Sequence, residues 1–225
     1  QIQQSESDAR GKYYGVMTDR SVLNFGDILE FAQQVNIDDV RELISRQIKY
    51  NSAISKEGMT GNYGVAIGPT ILACNCDSIF TKMKARTAAG SEARMGGCIL
   101  PVITNSGSGN QGITSSIPLV VYAEEEGIDD DTLYRSLVLS NLMTIYQKAQ
   151  IGRMSAFCAA VSSATSVAAA LTFMRGGTDC QVSMAVQNSL ANAAGIVCDG
   201  AKVSCAAKIA TSLDSGFLAH QLAMQ

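Results

Sequence analysis

Apolar residues along this chain recur at helical rather than strand spacing. Ile28, Leu29, Phe31, Ala32 and Val35 follow Gly26-Asp27 at gaps that keep one helix face apolar. Asp38-Asp39 marks a second helix start, since acidic side chains favour the positive end of the helix dipole, and Val40, Leu43, Ile44, Gln47 and Ile48 continue one face. Gly58, Gly61 and Gly64 break the pattern into a loop, and an apolar stretch from Val65 to Cys76 follows. The helical period returns after Asp129-Asp130-Asp131 through Leu133, Leu137, Val138, Leu142, Ile145 and Tyr146, until Gly152 interrupts it. Ser155 to Met174 reads as a helix with Cys158 in its first turns, closed by Gly176-Gly177. Residues 179–194 and 201–213 read as two more, with a Gly195–Gly200 loop between them. Strict alternation of apolar and polar positions is scarce.

The expected fold is all-α, a compact multi-helix bundle around the central Ala/Ser-rich helix. Residues 1–25, with Tyr13, Tyr14 and Val16, form a poorly defined lead-in, and residues 26–225 one helical domain. A chain of 225 residues buries roughly 70% of its unfolded surface, so folding needs no disulfide or metal staple. Only 6% of residues are aromatic, so the apolar content rests on small aliphatic side chains that allow close helix packing.

Charge and cysteine content then narrow the function. A net charge of −3, with no basic run, argues against a nucleic-acid partner. Ser155–Met174 approaches membrane-spanning length but contains Ser162, Ser163, Thr165 and Ser166, so no membrane partner is expected. Seven cysteines, an odd number, without a signal-peptide pattern imply a reducing cytoplasm and not a secreted disulfide framework. The chain opens at Gln1 with no initiator Met and reads as a fragment of something longer. An Ala-rich helical surface is compatible with a homo-oligomer.

Thiols and a Gly-rich loop carry the candidate chemistry. Cys198 and Cys205 are seven positions apart; on an unbroken helix they would be about 10.5 Å apart along the axis, too far to grip one small metal centre. A turn at Asp199-Gly200, with a helix starting near Ala201, lets both face one point, where Cys158 could join them. Three thiolates of this kind could hold zinc, or nothing. Cys74-Asn75-Cys76 reads as buried small hydrophobes, and Lys82, Lys84 and Arg86 as a solvated helix face. Arg94 enters the Gly-rich stretch. There, Gly107, Gly109 and Gly112 spell Gly-x-Gly-x-x-Gly, but no convincing βαβ unit surrounds it, which argues against a dinucleotide fold. Ser106, Gly107, Ser108, Gly109, Asn110 and Gln111 instead leave backbone N–H groups near a helix start, suited to a small anion such as a carboxylate. His220, the only histidine, reads as a solvated terminal residue, and a single histidine leaves no His-based zinc site or triad. Glu124-Glu125-Glu126 reads as a solvated helix end.

Four motifs together resemble the iron–sulfur L-cysteine desulfidase family, itself similar to the α-chain domain of bacterial iron–sulfur L-serine dehydratases. They are Arg94-Met-Gly-Gly-Cys98 with Leu100-Pro-Val, Asn105-Ser-Gly-Ser-Gly-Asn-Gln-Gly112-Ile, Ile151-Gly-Arg-Met-Ser-Ala-Phe-Cys158, and Cys198-Asp-Gly-Ala-Lys-Val-Ser-Cys205-Ala. The resemblance runs from about Gly58 to the carboxy terminus. It implies a largely helical domain carrying a [4Fe–4S] cluster on Cys158, Cys198 and Cys205, with the fourth iron open to substrate. It further implies β-elimination from a small amino acid, L-cysteine or alternatively L-serine, with the Ser106–Gln111 loop on the substrate carboxylate. Lys202 either offsets an anionic cluster or is a surface lysine. The family's longer amino-terminal part carries a proposed proton-abstracting cysteine, and residues 1–25 contain none. The base is thus expected outside this chain, on a missing amino-terminal region or a partner subunit. A non-catalytic iron–sulfur sensor or regulatory domain is the alternative reading.

Overall fold

Side-chain caps set most helix starts in the computed structural model, which describes residues 19–152 and 155–225. Asn24 accepts from the Asp27 N–H ahead of α1 (Phe25–Gln34), and Asn36 does the same for Asp38 ahead of α2 (Ile37–Gly58). After α3 (Ile67–Cys74), Ser78 caps α4 (Ile79–Met95) and Ser108 caps α5 (Gly109–Glu126). Asp129 caps α6 (Asp130–Ile151), and Thr178 forms a capping box with Gln181 at α8 (Asp179–Ala193). The start of α3 and of the two remaining helices, α7 (Ala159–Met174) and α9 (Cys205–Ala223), has no side-chain cap bond of its own. Among the described residues the fold is all-α, with no strand and only two isolated bridges. The lead-in residues Tyr13, Tyr14 and Val16, and Arg153 of the third motif, lie outside the described residues.

Helix α7 sits at the centre, packed by α5, α6, α8 and α9. Its residues 161–172 are all buried, polar ones included. Burying so many hydroxyls is possible because most bond to a carbonyl one turn back or to a facing helix. Ser166 Oγ donates to Ser162 O, Thr172 Oγ1 to Ala168 O and Ser116 Oγ to Gly112 O. Across helices, Ser140 Oγ donates to Ser115 O, and Gln147 Nε2 to Ser162 O and Ser166 Oγ. Helices α5, α6 and α7 follow one another through short links and pack on one another, which makes α6 antiparallel to both α5 and α7. Thr172, near the end of α7, meets His220, near the end of α9. Helices α5, α7 and α9 therefore all begin at one end of the bundle.

Several boundaries and environments differ from the sequence reading. Helix α9 begins at Cys205, not near Ala201, because Lys202 and Val203 spend their carbonyls on a turn to the Cys205 and Ala206 N–H groups. Cys158 precedes α7 as its cap residue, since its N–H is drawn to Ile196 O. The basic segment is no solvated face: α4 is wedged among α2, α3, α5 and α9, and its cations reach partners on neighbouring helices. Lys82 pairs with Glu125, Lys84 with Asp214 and Arg86 with Glu124. The Glu124–Glu126 end is accordingly exposed but partly paired. Cys74 and Cys76 are exposed, not buried, because α3 ends at Cys74 on the outside of the bundle. Among the described residues no helix is long and apolar enough to cross a membrane.

His220 departs furthest from expectation, being fully buried. Thr172 gives its own proton to Ala168 O, so its oxygen accepts from His220 Nδ1–H at 2.8 Å. The other ring nitrogen, Nε2, then accepts from Arg175 Nη1 at 3.3 Å. Burial, reinforced by the Arg175 charge, lowers the imidazole to about 4. The unfolded chain takes up this proton near pH 6.5, before the folded one does. Stability from this group is full above pH 6.5 and is lost as pH falls towards 4, by roughly 2–3 kcal/mol. Urea unfolding midpoints measured from pH 7 to 4 should show this slope, and His220→Gln should flatten it.

Candidate functional site

Two backbone hydrogen bonds assemble the thiol region. Cys158 N donates to Ile196 O at 3.0 Å and Cys198 N donates to Ala156 O at 2.7 Å, an antiparallel bridge centred on Phe157 and Val197. This pairing lays the Gly195–Gly200 loop against the start of α7. Gly200, at φ +94°, then turns the chain towards α9. Cys205 closes the turn: its Sγ accepts from Lys202 N at 3.4 Å and lies 3.6 Å from Gly200 O. Two of the three thiols thus stand at helix starts, where the positive dipole end favours sulfur anions.

The Cys158 thiol feels the other two. Burial pushes the Cys158 thiol above its ordinary value; the Ala160 N–H and Lys208 pull it down, while the Cys198 and Cys205 sulfurs push it up. Cys158 is buried, Cys205 half-buried and Cys198 exposed, so the group opens on one side. Among the described residues, no three or more His, Cys, Asp or Glu side chains are arranged at metal-holding distances. The donor set, three soft sulfurs with no histidine near, is one that suits an iron–sulfur centre.

A cation that sequence reasoning missed stands beside them. Lys208, one turn into α9, donates to Val197 O at 3.3 Å and pairs with Asp199. Lys202 meets the same carboxylate at 3.3 Å. Lys208, then Lys202, hold Asp199 down at about 2, and Asp199 in turn raises Lys208. The available signal was its position three residues after Cys205 on a helix.

The Gly-rich loop forms the second feature. Ser106 (φ +50°) and Gly107 (φ +82°) occupy the centre of a tight turn whose ends, Asn105 and Ser108, exchange backbone hydrogen bonds. Two positive φ values in succession are those of a mirror-image hairpin turn. The loop's side chains serve the loop itself: Ser106 Oγ donates to Asn105 Oδ1, Ser108 Oγ caps α5 through Gln111 N, and Asn110 Oδ1 accepts from Arg94 Nη1 at 3.2 Å. Gln111 is buried, with Oε1 unpartnered among the described residues. What the loop offers an anion is therefore backbone N–H at the α5 start plus the Arg94 cation, rather than serine hydroxyls.

Asn51 of α2, also unforeseen, anchors this loop. Fully buried, it donates to Gly112 O at 3.0 Å and accepts from Ile103 N at 2.9 Å. A Cβ on Gly112 would collide with the Ile103 carbonyl, so only glycine lets the incoming strand-like segment lie this close to α5. Behind Asn105 and Ser106 is a half-open cavity of about 250 Å³, walled by apolar residues of α1, α2 and α6 such as Phe31, Leu43 and Leu142.

The two features share one end of the bundle, and no hydrogen bond or ion pair joins them among the described residues. The last turn of α4 spans the gap, with Arg94 at the Gly-rich loop and Glu92 at Gly64, which abuts Val203 of the thiol loop. Nearby, Tyr63 donates to Glu57 Oε1 at 3.0 Å. The neighbouring Cys98 thiol, and then Glu57, raise the phenol above its ordinary value. Cys180 lies apart, exposed on α8 beside Met184.

Comparison with known proteins places this geometry in context. A sequence family described as serine dehydratase alpha chain matches residues 2–225. Relatives include a UPF0597 protein of Lachnoclostridium phytofermentans, 49% identical over 92% of this chain and 50% of its own length. Another, from Treponema denticola, is 50% identical over 93% of this chain and 50% of its own. A third, from Bacteroides thetaiotaomicron, is 39% identical over 90% and 48%. The chain spans about half the length of these curated relatives. No solved structure matches it.

Asn51→Ala should cost about 2–3 kcal/mol in urea unfolding, since the Ile103 N–H and Gly112 carbonyl lose a buried partner. A midpoint unchanged from the wild type would show that the loop is held by other contacts.

Proposed function

The chain belongs to the serine dehydratase alpha chain family, and on that premise we propose that it is the cluster-bearing, substrate-holding part of an iron–sulfur lyase. The reaction is β-elimination of L-cysteine to pyruvate, ammonia and sulfide. The observation that supports this reading is the Cys158–Ile196 and Cys198–Ala156 backbone pairing, which sets the Cys158 and Cys198 backbones side by side, with the Cys205 sulfur near enough to act on the Cys158 thiol. Cys158, Cys198 and Cys205 would hold a [4Fe–4S] cluster. When bound, the cluster supplies Lewis acidity for the negative charge that develops on the departing sulfide or hydroxide.

The chain's own residues do the binding and orienting. The α5 N–H groups, with Arg94 beside them, hold the substrate carboxylate and fix the Cα–H bond relative to a base. Removal of that proton pushes electrons towards Cβ; the Cβ–S bond breaks and hydrosulfide leaves. The 2-aminoacrylate so formed tautomerises to an imine, which water hydrolyses to pyruvate and ammonia. Lys208 places a fixed positive charge against the anionic sulfurs. The base lies in the half of the enzyme that the longer relatives carry or on a partner subunit, so the 225 residues alone are weakly active or inactive. L-serine is the second substrate reading, favoured by the family's own description; it differs only in the leaving group.

Anaerobic reconstitution with iron and sulfide, followed by absorption and EPR spectroscopy, tests the proposal. Cys198→Ser should abolish or sharply weaken the cluster signal, and Cys180→Ser should leave it intact. Absence of any cluster in the folded wild type would sink the lyase reading. Pyruvate with sulfide from cysteine, against pyruvate from serine, then separates the two substrates.

A further inference from the structure

Glu92, in the last turn of α4, is 1% exposed, and each of its two carboxylate oxygens accepts a backbone N–H at 2.7 Å, from Val65 and from Ile67. Ile67 opens α3, and the residue ahead of it, Ala66 at φ +55°, has no side chain able to cap. A carboxylate from another helix thus takes the place of the missing cap. Gly64 is pressed between that carboxylate and the thiol loop: a Cβ there would come within 2.7 Å of Val203 Cγ1 and would collide with Glu92 Oε1. Val203 is two residues from Cys205, and its carbonyl receives the Ala206 N–H as α9 begins. Arg94, two residues on from Glu92, is fastened to Asn110.

The energetics point beyond capping. An ordinary cap stabilises a helix start only modestly, whereas taking a carboxylate out of water is costly unless every lone pair is well used. An eight-residue helix such as α3 could be started with a serine at far lower cost. What a carboxylate adds is two acceptors in one rigid plane, which fix the 64–67 turn at two points.

We infer that Glu92 is a positioning residue: by clamping the 64–67 turn against Val203, it sets where the Cys198–Cys205 loop stands relative to the Gly-rich loop. The inference deepens the reading of the thiols as cluster ligands and depends on it only for its functional meaning. Glu92→Gln keeps the shape but turns an NH2 towards one of the two backbone N–H groups, donor against donor.

Hydrogen exchange on the full chain, metal-free and reduced, tests the clamp without any cluster. Glu92→Gln should speed exchange about tenfold in peptides covering residues 63–68 and also 197–206, with the interiors of α6 and α7 unchanged. Acceleration confined to 63–68 overturns the inference. Val203→Ala trims only a half-buried side chain and works from the other side, so it decides the matter if Glu92→Gln does not fold. Faster exchange at 63–68 supports the clamp, and unchanged exchange there overturns it. Iron and sulfide content after reconstitution is then measured on the same proteins. A wild type that takes up no cluster defeats the lyase reading and leaves the exchange result standing. A wild type that loads while Glu92→Gln exchanges like it defeats the clamp alone.

Discussion

The thiol half of the candidate site depends on two hydrogen bonds that belong to no helix. Without Cys158 N to Ile196 O and Cys198 N to Ala156 O, the Gly195–Gly200 loop would be tied down chiefly by lysine contacts, Lys208 to Val197 O and Lys208 and Lys202 to Asp199, and partly exposed ion pairs hold geometry poorly. With them, a loop of small and flexible residues becomes an edge of α7. The same bonds explain why α7 starts after Cys158, which leaves that thiol outside the helix and unclaimed by any cap.

The helical scaffold was legible because amphipathic segments announce themselves. Ile28, Leu29 and Ala32 are the buried side of α1, as their spacing predicts. Legibility failed where a helix is buried all round. Apolar period carries no information in α4 and α7, and the basic residues of α4 looked solvated because their partners, Glu124, Glu125 and Asp214, sit on other helices far along the chain. His220 was misjudged for a related reason. Nearness to the end of the chain says nothing about burial when the last helix crosses the core, and its partners Thr172 and Arg175 are more than forty residues away.

At the site, the sequence exposed the residue types but not the geometry. Cys158, Cys198 and Cys205 could be named from spacing and resemblance, and the turn at Gly200 followed from the Asp-Gly pair. The expected helix at 201 was premature by one turn. The Gly-rich loop was identified as a helix start with backbone N–H groups to offer, but nothing in the sequence showed that its hydroxyls are spent on the loop itself. Asn51, Glu92 and Lys208 escaped notice because each acts across long sequence separations or through backbone groups, neither of which leaves a local motif.

The parallel start of α5, α7 and α9 has a consequence in time as well as in space. Contacts between residues far apart in sequence form late, because closing a long loop must be offset before the contact rewards it. Glu92 waits for the turn that carries Val203, and Cys158 waits for Ile196. A nascent chain that has not yet extended past α8 already holds the Gly-rich loop but only one of the three thiols. The three thiols can meet only once the chain has reached Cys205 at the start of α9, so on the proposed reading a chain stopped before that point would lack the full ligand set.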